Sequence, residues 1–415
     1  MRILFLSQII PYPLNSGPRV KTWHVLRFLR EQGHEVVLAA FARPDEFAHI
    51  GAVRPFCSAV HAVPLQRSRL TDFGHWLSSH FVGVPFLVRR DRRTAMHELI
   101  QGLLNREPVD AIHADQLPMA QYALNGTFSD KGHTAQPLRV FDAHNAIWSV
   151  MERMRAATPK WERPFLGAET RRLQSYEAKV VNVFDLTVAV SEADREALIQ
   201  AAALSASTLH ASAAHHLSDR VMVVPIGIDT AMWRPVRRSS SSTSILAVGT
   251  LYYPPNADGI HWFAHEVFPE VCRAIPEAKL TIVGKNPPRR LRGLANRKPE
   301  SIKVTGYVQE LRPYLESSAL MVVPVRAGGG MRVRILEGFA RGIPMVTTTL
   351  GLEGIEAQPG RDILVADTAS DFASAVVRLL GDGALQKRLA SNGRRIAERL
   401  YDWQVALKPL AQVYA

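Results

Sequence analysis

The segment from Pro324 to Gly338 carries the clearest chemical pattern in the sequence. An apolar run ends at the glycines Gly328, Gly329 and Gly330, and a helical pattern starts at Met331. Glycines let backbone N–H groups approach an anion closely, and a helix N-terminus adds about half a positive charge. The pattern indicates a phosphate site, although it lacks the lysine and spacing of a Walker A loop. The alternative is an ordinary glycine-rich loop.

Charged side chains follow the glycines. Glu337 lies on the predicted helix, where a carboxylate can accept hydrogen bonds from ribose hydroxyls. The cations nearby in sequence are Arg326, Arg332, Arg334 and Lys285. We expect Arg334 to face the phosphates, because it lies three residues before Glu337 and shares its helix face. The alternatives are a solvated glutamate and a surface salt bridge between the two side chains.

His144 is a second candidate for catalysis. It follows the apolar run Arg139–Asp142, which is typical of a buried strand. Active sites of open α/β sheets lie at the carboxyl ends of the strands, and imidazole suits proton handling near neutral pH. The alternative is a structural histidine that bonds a neighbouring backbone group.

Short apolar runs alternate with longer amphipathic segments along the whole chain, as in the strand Ile3–Leu6, the helix Pro18–Gln32 and the strand Val36–Phe41. This alternation predicts βαβ units and parallel sheets. The polar run from Arg237 to Ser242 has the composition of a linker. We therefore expect an α/β fold with an N-terminal domain over 1–224, a linker over 225–243 and a C-terminal domain over 244–403.

The composition excludes several classes of protein. The chain has 415 residues, a formal charge of +12 and two cysteines, Cys57 and Cys272, without ligand spacing. We expect no disulfide framework and no metal site, which fits a reducing cytoplasm. The alanine-, serine- and histidine-rich stretch 201–216 offers three histidines, His210, His215 and His216, without an acidic or cysteine partner. No nucleic-acid-binding module is recognisable, and we expect no nucleic-acid partner.

The lengths and flanks of the apolar runs indicate how the chain could contact a membrane. No run approaches the ~20 apolar residues of a spanning helix, and Met1–Leu6 predicts a first core strand instead of a cleaved leader. The apolar stretch Phe81–Val88 is flanked by arginines, namely Arg67, Arg69, Arg89, Arg90, Arg92 and Arg93. We expect peripheral contact with an anionic membrane, and the alternative is a solvated basic face around a buried segment.

Several segments together resemble the retaining GT-B glycosyltransferases of the "group 1" family, closest to the subgroup associated with exopolysaccharide sugar transfer. The resemblance covers nearly the whole chain. It is carried by Val223–Asp229, Val248–Gly249, Ile282–Gly284, Val304–Val308, Gly328–Glu337, Gly342–Thr348 and Tyr401–Trp403. It implies two Rossmann-like doubly wound lobes that face a cleft, with a final segment 404–415 that returns to the N-terminal lobe.

The resemblance also implies roles for single residues. Glu337 would bind the donor ribose, and the amides of Gly329 and Gly330 would face the diphosphate. His144 would lie over the sugar and the acceptor, and Arg334 matches a lysine that relatives often carry. Gly17 would close on the donor, with Arg19 as a candidate helper. The full donor-binding set is Gly17, Arg19, Gly249, Gly306, Tyr307, Val308, Gly328, Gly329, Gly330, Met331, Arg332 and Glu337.

The sequence departs from the family at two places. Many relatives carry a second glutamate eight positions before the first, and here that position is Gly329. Many also carry an arginine–lysine pair after the first strand of the C-terminal lobe, whereas the loop Gly249–Asn256 has no cation. The sequence thus leaves open which cation holds the diphosphate and whether the anomeric configuration is retained.

The expected function is transfer of a sugar from a nucleoside-diphosphate sugar to a glycan or lipid-linked acceptor. We expect no metal and no cofactor, and a cytoplasmic location that includes the inner face of the membrane. The alternatives are a nucleotide-sugar epimerase and a nucleotide-sugar-binding protein without catalysis. A dinucleotide dehydrogenase is disfavoured, because no G-x-G-x-x-G follows either first strand.

Overall fold

The computed structural model describes residues 1–124, 136–158, 160, 162–206, 217–238 and 242–414. The chain divides into two compact units, Met1–Pro225 with Leu407–Ala415 and Ile226–Ala406. The three histidines of the 201–216 stretch lie outside the described residues.

The first unit is built on a parallel sheet of seven strands in the order β3-β2-β1-β4-β5-β6-β7. The central strands are short apolar runs, and residues Ile3–Leu6 are fully buried because helices cover both faces of the sheet. The strands are β1 Arg2–Ser7, β2 Glu35–Ala42, β3 Ala59–Pro64, β4 Ala111–Asp115, β5 Leu138–Asp142, β6 Leu186–Ala189 and β7 Val221–Val223.

The helices of the first unit connect these strands. Pro18 in the first turn and Gly33 with a φ of 84° just beyond the end fix the bounds of the first helix. The helices are α1 Gly17–Glu31, α2 Ile50–Val53, α3 Arg69–Val82, α4 Phe86–Arg90, α5 Thr94–Arg106, α6 Leu117–Leu124, α7 Ile147–Ala157, α8 Arg163–Val183 and α9 Glu192–Ala206. Residues Phe47–His49 and Arg54–Phe56 form 3₁₀ turns.

The second unit repeats the design with a parallel sheet of six strands in the order β10-β9-β8-β11-β12-β13. Its strands are β8 Ser244–Val248, β9 Lys279–Val283, β10 Ile302–Gly306, β11 Leu320–Val323, β12 Met345–Thr347 and β13 Leu364–Val365. Its helices are α10 Pro254–Trp262, α11 Phe268–Ala274, α12 Arg289–Arg297, α13 Arg312–Ser317, α14 Val333–Ala340, α15 Thr349–Leu352, α16 Ala369–Gly381, α17 Gly383–Ile396 and α18 Trp403–Ala406.

Wide π turns interrupt two of the helical segments. Residues Phe263–Val267 separate α10 from α11, and residues Ala397–Tyr401 follow α17. The first of these segments begins at Pro254, where proline suits the first turn of a helix, and changes pitch at Phe263.

The predicted linker 225–243 lies in the second unit from Ile226 onward. Val236 donates its N–H to the carbonyl of Arg341 at 3.0 Å, and the guanidinium of Arg341 lies 4.2 Å from the ring centroid of Trp233. Residues 226–238 are therefore packed on this unit instead of forming a free connection. Ser239 and the two residues after it lie outside the described residues.

The end of the chain returns to the first unit. The carboxylate of Asp402 accepts a hydrogen bond from the N–H of Thr230 at 3.2 Å, and a side chain at Gly227 would clash with Trp403. After this anchor, residues 407–415 belong to the first unit and form α19 Lys408–Ala411 and the 3₁₀ turn Gln412–Tyr414.

In each sheet the strand order reverses beside the first strand, next to β1 in one unit and next to β8 in the other. Crevices form at the carboxyl ends of the strands at such a reversal, and ligands of open α/β folds bind there. Both units therefore offer one edge at which functional side chains are expected.

The α10 helix packs closely on the backbone at Pro324, and a larger side chain at the contact should therefore destabilise the protein. A Cβ at Gly259 would overlap the carbonyl oxygen of Pro324, whereas a Cβ at Gly293 in α12 meets nothing within 4 Å. We expect Gly259→Ala to lower the free energy of unfolding by about 1–3 kcal/mol. The matched variant Gly293→Ala should be neutral or stabilising by up to ~1 kcal/mol, because alanine favours a helix. Urea unfolding checks both, and equal effects would contradict the packing argument.

Candidate functional site

A buried ion pair lies at the carboxyl edge of the first sheet. Lys21 on α1 and Asp142 at the end of β5 are each 1% exposed, and the Lys21 ammonium bonds the Asp142 carboxylate. Burial alone would raise the pKa of Asp142, but the charge of Lys21 outweighs it and holds that pKa well below its usual range. The carboxylate therefore stays ionised in the interior of the unit.

His144 follows this ion pair in a left-handed backbone conformation, with a φ of 54°. Such a conformation is uncommon for a residue with a side chain, and it turns the ring back toward β4. The Nε2 atom of His144 lies 2.7 Å from Oδ1 of Asp115, the last residue of β4. The predicted candidate His144 is thus held beside the sheet edge by a partner that the sequence analysis did not identify.

The Asp115 carboxylate is fixed from its other side as well. Its Oδ2 accepts hydrogen bonds from the hydroxyls of Thr22 at 2.8 Å and Ser7 at 3.1 Å. A carboxylate accepts hydrogen bonds, so the proton shared with His144 sits on Nε2. Nδ1 of His144 makes no hydrogen bond to the part of the chain that the structure describes, and this nitrogen is left as the acceptor of the ring.

His113, in the middle of β4, is a further member of the polar cluster. Its ring stacks on Phe5 with the centroids 4.3 Å apart, and its Nδ1 lies 2.5 Å from the hydroxyl of Tyr414. Its Nε2 lies 3.7 Å from Oδ2 of Asp142. Burial raises the pKa of Tyr414, so the phenol stays neutral. The returning end of the chain therefore contributes a side chain to this cluster.

The cluster also has the spacing of a metal site. His113, Asp115 and Asp142 each offer one ligand atom, and these atoms lie within 4.8 Å of one another. However, Lys21 already supplies a positive charge to Asp142, and hydroxyl groups with His144 already bond Asp115. A metal ion would have to displace these partners, so we assign the cluster to hydrogen bonding and ion pairing.

Two buried acids hold the chain immediately after His144. Glu177 accepts the N–H groups of Ile147 at 2.8 Å and Trp148 at 2.9 Å, and Asp194 accepts that of Ala146 at 2.9 Å. These bonds satisfy the free amides at the start of α7. Burial, opposed by the two amide bonds, raises the pKa of Glu177 to about 8. The sequence analysis missed both acids, since each lies far along the chain from the turn it supports.

The two other predicted residues of this unit lie at the start of α1. The guanidinium of Arg19 pairs with the carboxylate of Glu46 and donates to the side chain of Asn15 at 3.0 Å. Gly17 is the first residue of α1, and a Cβ there would meet nothing within 4 Å. Arg19 thus holds the turn before α1, and contact of either residue with a donor stays a prediction.

In the second unit, the glycine loop connects β11 to α14. Gly328 and Gly330 have φ values of 91° and 86°, in the region that favours glycine. Arg332 has a non-helical backbone and donates from Nη1 to the carbonyl of Gly329 at 2.8 Å. The helix was predicted to start at Met331, and this was wrong because Arg332 bends back over the loop and α14 begins at Val333.

Arg334 and Glu337 are brought together on α14. The guanidinium of Arg334 bonds the carboxylate of Glu337, and the side chains are partly exposed. The sequence analysis named a salt bridge between these two side chains as the alternative to a phosphate contact, and the structure contains that salt bridge. The direct contacts of Arg334 with phosphate and of Glu337 with ribose stay predictions. Arg326 is exposed, with its guanidinium 5.2 Å from the ring centroid of Trp262.

The remaining predicted residues end the neighbouring strands. Gly249 follows β8, and its carbonyl lies against Gly284, where a side chain would clash with it. Gly306 ends β10 with a φ of 75°, and Tyr307 after it is exposed. Val308 is half-buried after Tyr307, and Met331 is buried beside the glycine loop. These residues share the carboxyl edge of the second sheet.

Two threonines support the glycine loop without having been predicted. Thr347 donates its hydroxyl to the carbonyl of Val323 at 2.8 Å, and Thr348 donates to that of Val325 at 2.5 Å. These bonds fix the end of β11 on the neighbouring strand. The signal was the run of three threonines that begins at the last residue of β12, which the sequence analysis used only as part of a motif.

A family model and curated proteins match part of this chain. The model described as glycosyl transferases group 1 matches residues 242–382. An uncharacterized 44.6 kDa protein in the cps region of Klebsiella pneumoniae is 24% identical over 38% of this chain and 42% of its own length. The MMP α-(1→4)-mannosyltransferase of Mycolicibacterium hassiacum is 24% identical over 66% of this chain and 64% of its own length. The chain spans about half the length of the curated relatives it first matches.

Solved structures share the fold across the whole chain. The sucrose-phosphate synthase of Thermosynechococcus elongatus has a TM-score of 0.68 at 16% identity and covers 100% of this chain and 98% of its own. HepE of Anabaena, solved in complex with UDP, has a TM-score of 0.69 at 14% identity and covers 100% and 99%. The architecture is therefore GT-B, with two parallel-sheet α/β domains. None of the helices that the structure describes has the length and apolar character to cross a bilayer.

The buried pair of Lys21 and Asp142 makes a prediction about stability. Lys21→Met leaves a buried carboxylate without its counter-charge, which should cost about 3–5 kcal/mol of unfolding free energy at neutral pH. This deficit should shrink as the pH falls toward about 4, because Asp142 in the variant can then take up a proton.

The double variant Lys21→Met with Asp142→Asn removes both charges and should recover most of the loss. Urea unfolding at two pH values measures these effects. A double variant no more stable than Lys21→Met would show that the charge pair is not the cause.

Proposed function

We propose that the chain is a glycosyltransferase, because the model of the glycosyl transferases group 1 family matches its residues 242–382. It moves a sugar from a nucleoside-diphosphate donor to a glycan or lipid-linked acceptor. One observation carries the proposal: the glycine loop, Arg332 and the Arg334–Glu337 pair meet at the carboxyl edge where the strand order of the second sheet reverses. HepE of Anabaena has also been solved with UDP-glucose, which supports a nucleotide-sugar donor.

The leaving diphosphate needs positive charge that is already oriented. The loop amides supply dipoles, and the guanidinium groups of Arg332 and Arg334 supply full charges near them. Arg334 can bind Glu337 and a phosphate together, because a guanidinium has five N–H donors in a fixed fork. This arrangement replaces the arginine–lysine pair that the loop Gly249–Asn256 lacks.

Glu337 then serves the donor ribose. Its bond to Arg334 uses Oε2, and the second carboxylate oxygen can accept from a ribose hydroxyl. The ion pair orients the carboxylate before the donor arrives, so less side-chain entropy is lost on binding. Glu337 and Arg334 therefore act as one unit in this proposal, and their removal should not be additive.

His144 serves the sugar and the acceptor from the first unit. With Nε2–H held by Asp115, Nδ1 is the ring atom that can accept a hydrogen bond from a sugar or acceptor hydroxyl. Asp115 does not touch the substrate, and it acts by fixing the tautomer and the direction of His144.

The finer points of the reaction are part of the proposal. We propose a metal-independent transfer with retention of configuration, in which the leaving phosphate assists attack from the same face. It takes place in the cytoplasm, at the inner face of an anionic membrane that holds the acceptor. NMR of the product anomer tests retention, and an inverted product would refute that point alone.

A ligand screen tests the function itself. UDP-, GDP-, ADP- and dTDP-sugars are added to the full chain, and the unfolding temperature is measured. A donor at one hundred times its dissociation constant stabilises the protein by about 2.7 kcal/mol, which is readily observed. Product analysis then follows with and without glycan acceptors. A sugar isomer formed without any acceptor would indicate an epimerase, and binding without turnover would indicate a binding protein.

The Arg334–Glu337 pair makes the first prediction for catalysis. Glu337→Ala should weaken donor binding by roughly 1.5–3 kcal/mol, because it removes a charged acceptor of ribose bonds. Arg334→Ala should lower kcat more than it raises KM, because the charge is needed most as the bond breaks. Arg312→Ala is the matched control, since Arg312 forms a similar surface pair with Glu316. Normal turnover of Arg334→Ala would assign the phosphate contact to Arg332 or Arg326.

The Asp115–His144 pair makes the second prediction. In Asp115→Asn the amide N–H₂ can donate to Nε2, which moves the ring proton to Nδ1 and removes the free acceptor. We expect kcat to fall by about 10²-fold or more, with donor affinity unchanged.

Ser7→Ala is the matched control, because it removes another bond to Asp115 and leaves the tautomer of His144 as it is. The pH profile of kcat separates the two variants. If Asp115→Asn and Ser7→Ala lose the same small factor, Asp115 has only a structural role.

A further inference from the structure

The α3 helix exposes an apolar face. Leu70, Phe73, Leu77 and Phe81 are 86%, 61%, 47% and 83% exposed. They are spaced by three or four residues, so they lie on one side of the helix. Exposed apolar side chains scattered singly are ordinary, but a continuous stripe of large ones indicates a binding surface. We call these four residues the α3 face.

The opposite side of α3 is polar and packed. Ser79 is fully buried, and the ring of His75 lies 3.3 Å from the guanidinium of Arg93. Arg89 donates to the hydroxyl of Ser78 at 3.3 Å. A surface helix normally buries its apolar stripe and exposes its polar side. The α3 helix does the reverse, so its attachment to the unit does not account for its apolar side chains.

The helix that carries this face is well terminated. Ser68 and Thr71 form a capping box at its start, and Gly83 with a φ of 71° ends it. These caps satisfy part of the free backbone groups at both ends of α3. The apolar residues are therefore presented on a formed helix, which binding would not first have to fold.

Positive charge predominates in the segment of the chain that carries the α3 face. Residues 65–93 contain six arginines and two aspartates. Of the aspartates, Asp91 is fully buried and paired with Arg67 at 2.6 Å. Arg69 and Arg92 are exposed. An exposed apolar face in a segment with a net positive charge matches the boundary between the acyl chains and the headgroups of an anionic bilayer.

We propose that the α3 face inserts into the surface of an anionic membrane, with the exposed arginines on the lipid headgroups. This inference rests on the proposed transfer to a membrane-held acceptor and names the surface that makes the contact. The surface overlaps the stretch Phe81–Val88 only at its start, because Pro85 and Val88 are buried and the exposed apolar residues of the segment lie mainly before that stretch. A second copy of the chain fits less well, since a two-fold interface through this face would bring two segments of net positive charge together.

Vesicle co-sedimentation of the full chain tests the surface. The wild-type protein should bind phosphatidylcholine vesicles that contain phosphatidylglycerol, and bind pure phosphatidylcholine weakly. Phe73→Ser with Phe81→Ser should weaken binding by about tenfold or more. Arg69→Gln with Arg92→Gln should weaken it about fivefold per arginine, and only on the anionic vesicles. Met232→Ser is the control, because Met232 is exposed in the second unit.

Two results would overturn the inference. One is wild-type affinity in the Phe73, Phe81 variant. The other is a wild-type dimer in light scattering that the same variant converts to a monomer without any vesicle binding in either protein. The shift in unfolding temperature caused by a donor distinguishes a failure of the membrane proposal from a failure of the proposed glycosyl transfer. The variant should show the same shift as the wild-type protein, whereas vesicle binding without any donor response would reject glycosyl transfer and leave the membrane contact standing.

Discussion

A buried ammonium–carboxylate pair organises the edge of the first sheet. Lys21 neutralises Asp142 where water does not reach, and this allows other polar groups to share the same interior. His113 and His144 both approach Asp142, at 3.7 and 4.0 Å. Without the ammonium group, the two carboxylates at the ends of β4 and β5 would repel each other in a medium that screens them poorly. The position of His144 therefore depends on a lysine from a different element.

The two sheet edges use different chemistry at equivalent positions. The first edge consists of buried charged and polar side chains that bond one another. The second edge combines glycines and backbone amides with the arginines and the glutamate of α14 and the turn before it, and the hydroxyl groups of Thr347 and Thr348 fix the loop on the sheet. Side chains that exchange protons suit a reacting hydroxyl, whereas fixed dipoles suit a group that is charged throughout. This difference matches the proposed division of acceptor and donor between the units.

Much of the fold followed from sequence, because buried parallel strands are short apolar runs with turn residues after them. β3 was not predicted, since its residues are mostly half-buried and alternate weakly around His61. The position of His144 after a strand could be read directly, and the Arg334–Glu337 pair followed from helix spacing. Asp115 could not be identified, because only the register of β4 beside β5 brings it to His144. The apolar face of α3 was also missed, since the same periodicity normally indicates burial.

The contact between Tyr414 and His113 affects the order in which the two units can complete folding during synthesis. The ribosome delivers the chain from its N-terminus, so the strands of the first unit emerge first. Their polar interior nevertheless lacks the phenol that bonds His113 until residue 414 has been made. The second unit is complete in sequence by residue 406, before that phenol exists. The second unit, although most of it is synthesised after the first, is therefore the first to have all the residues of its interior available.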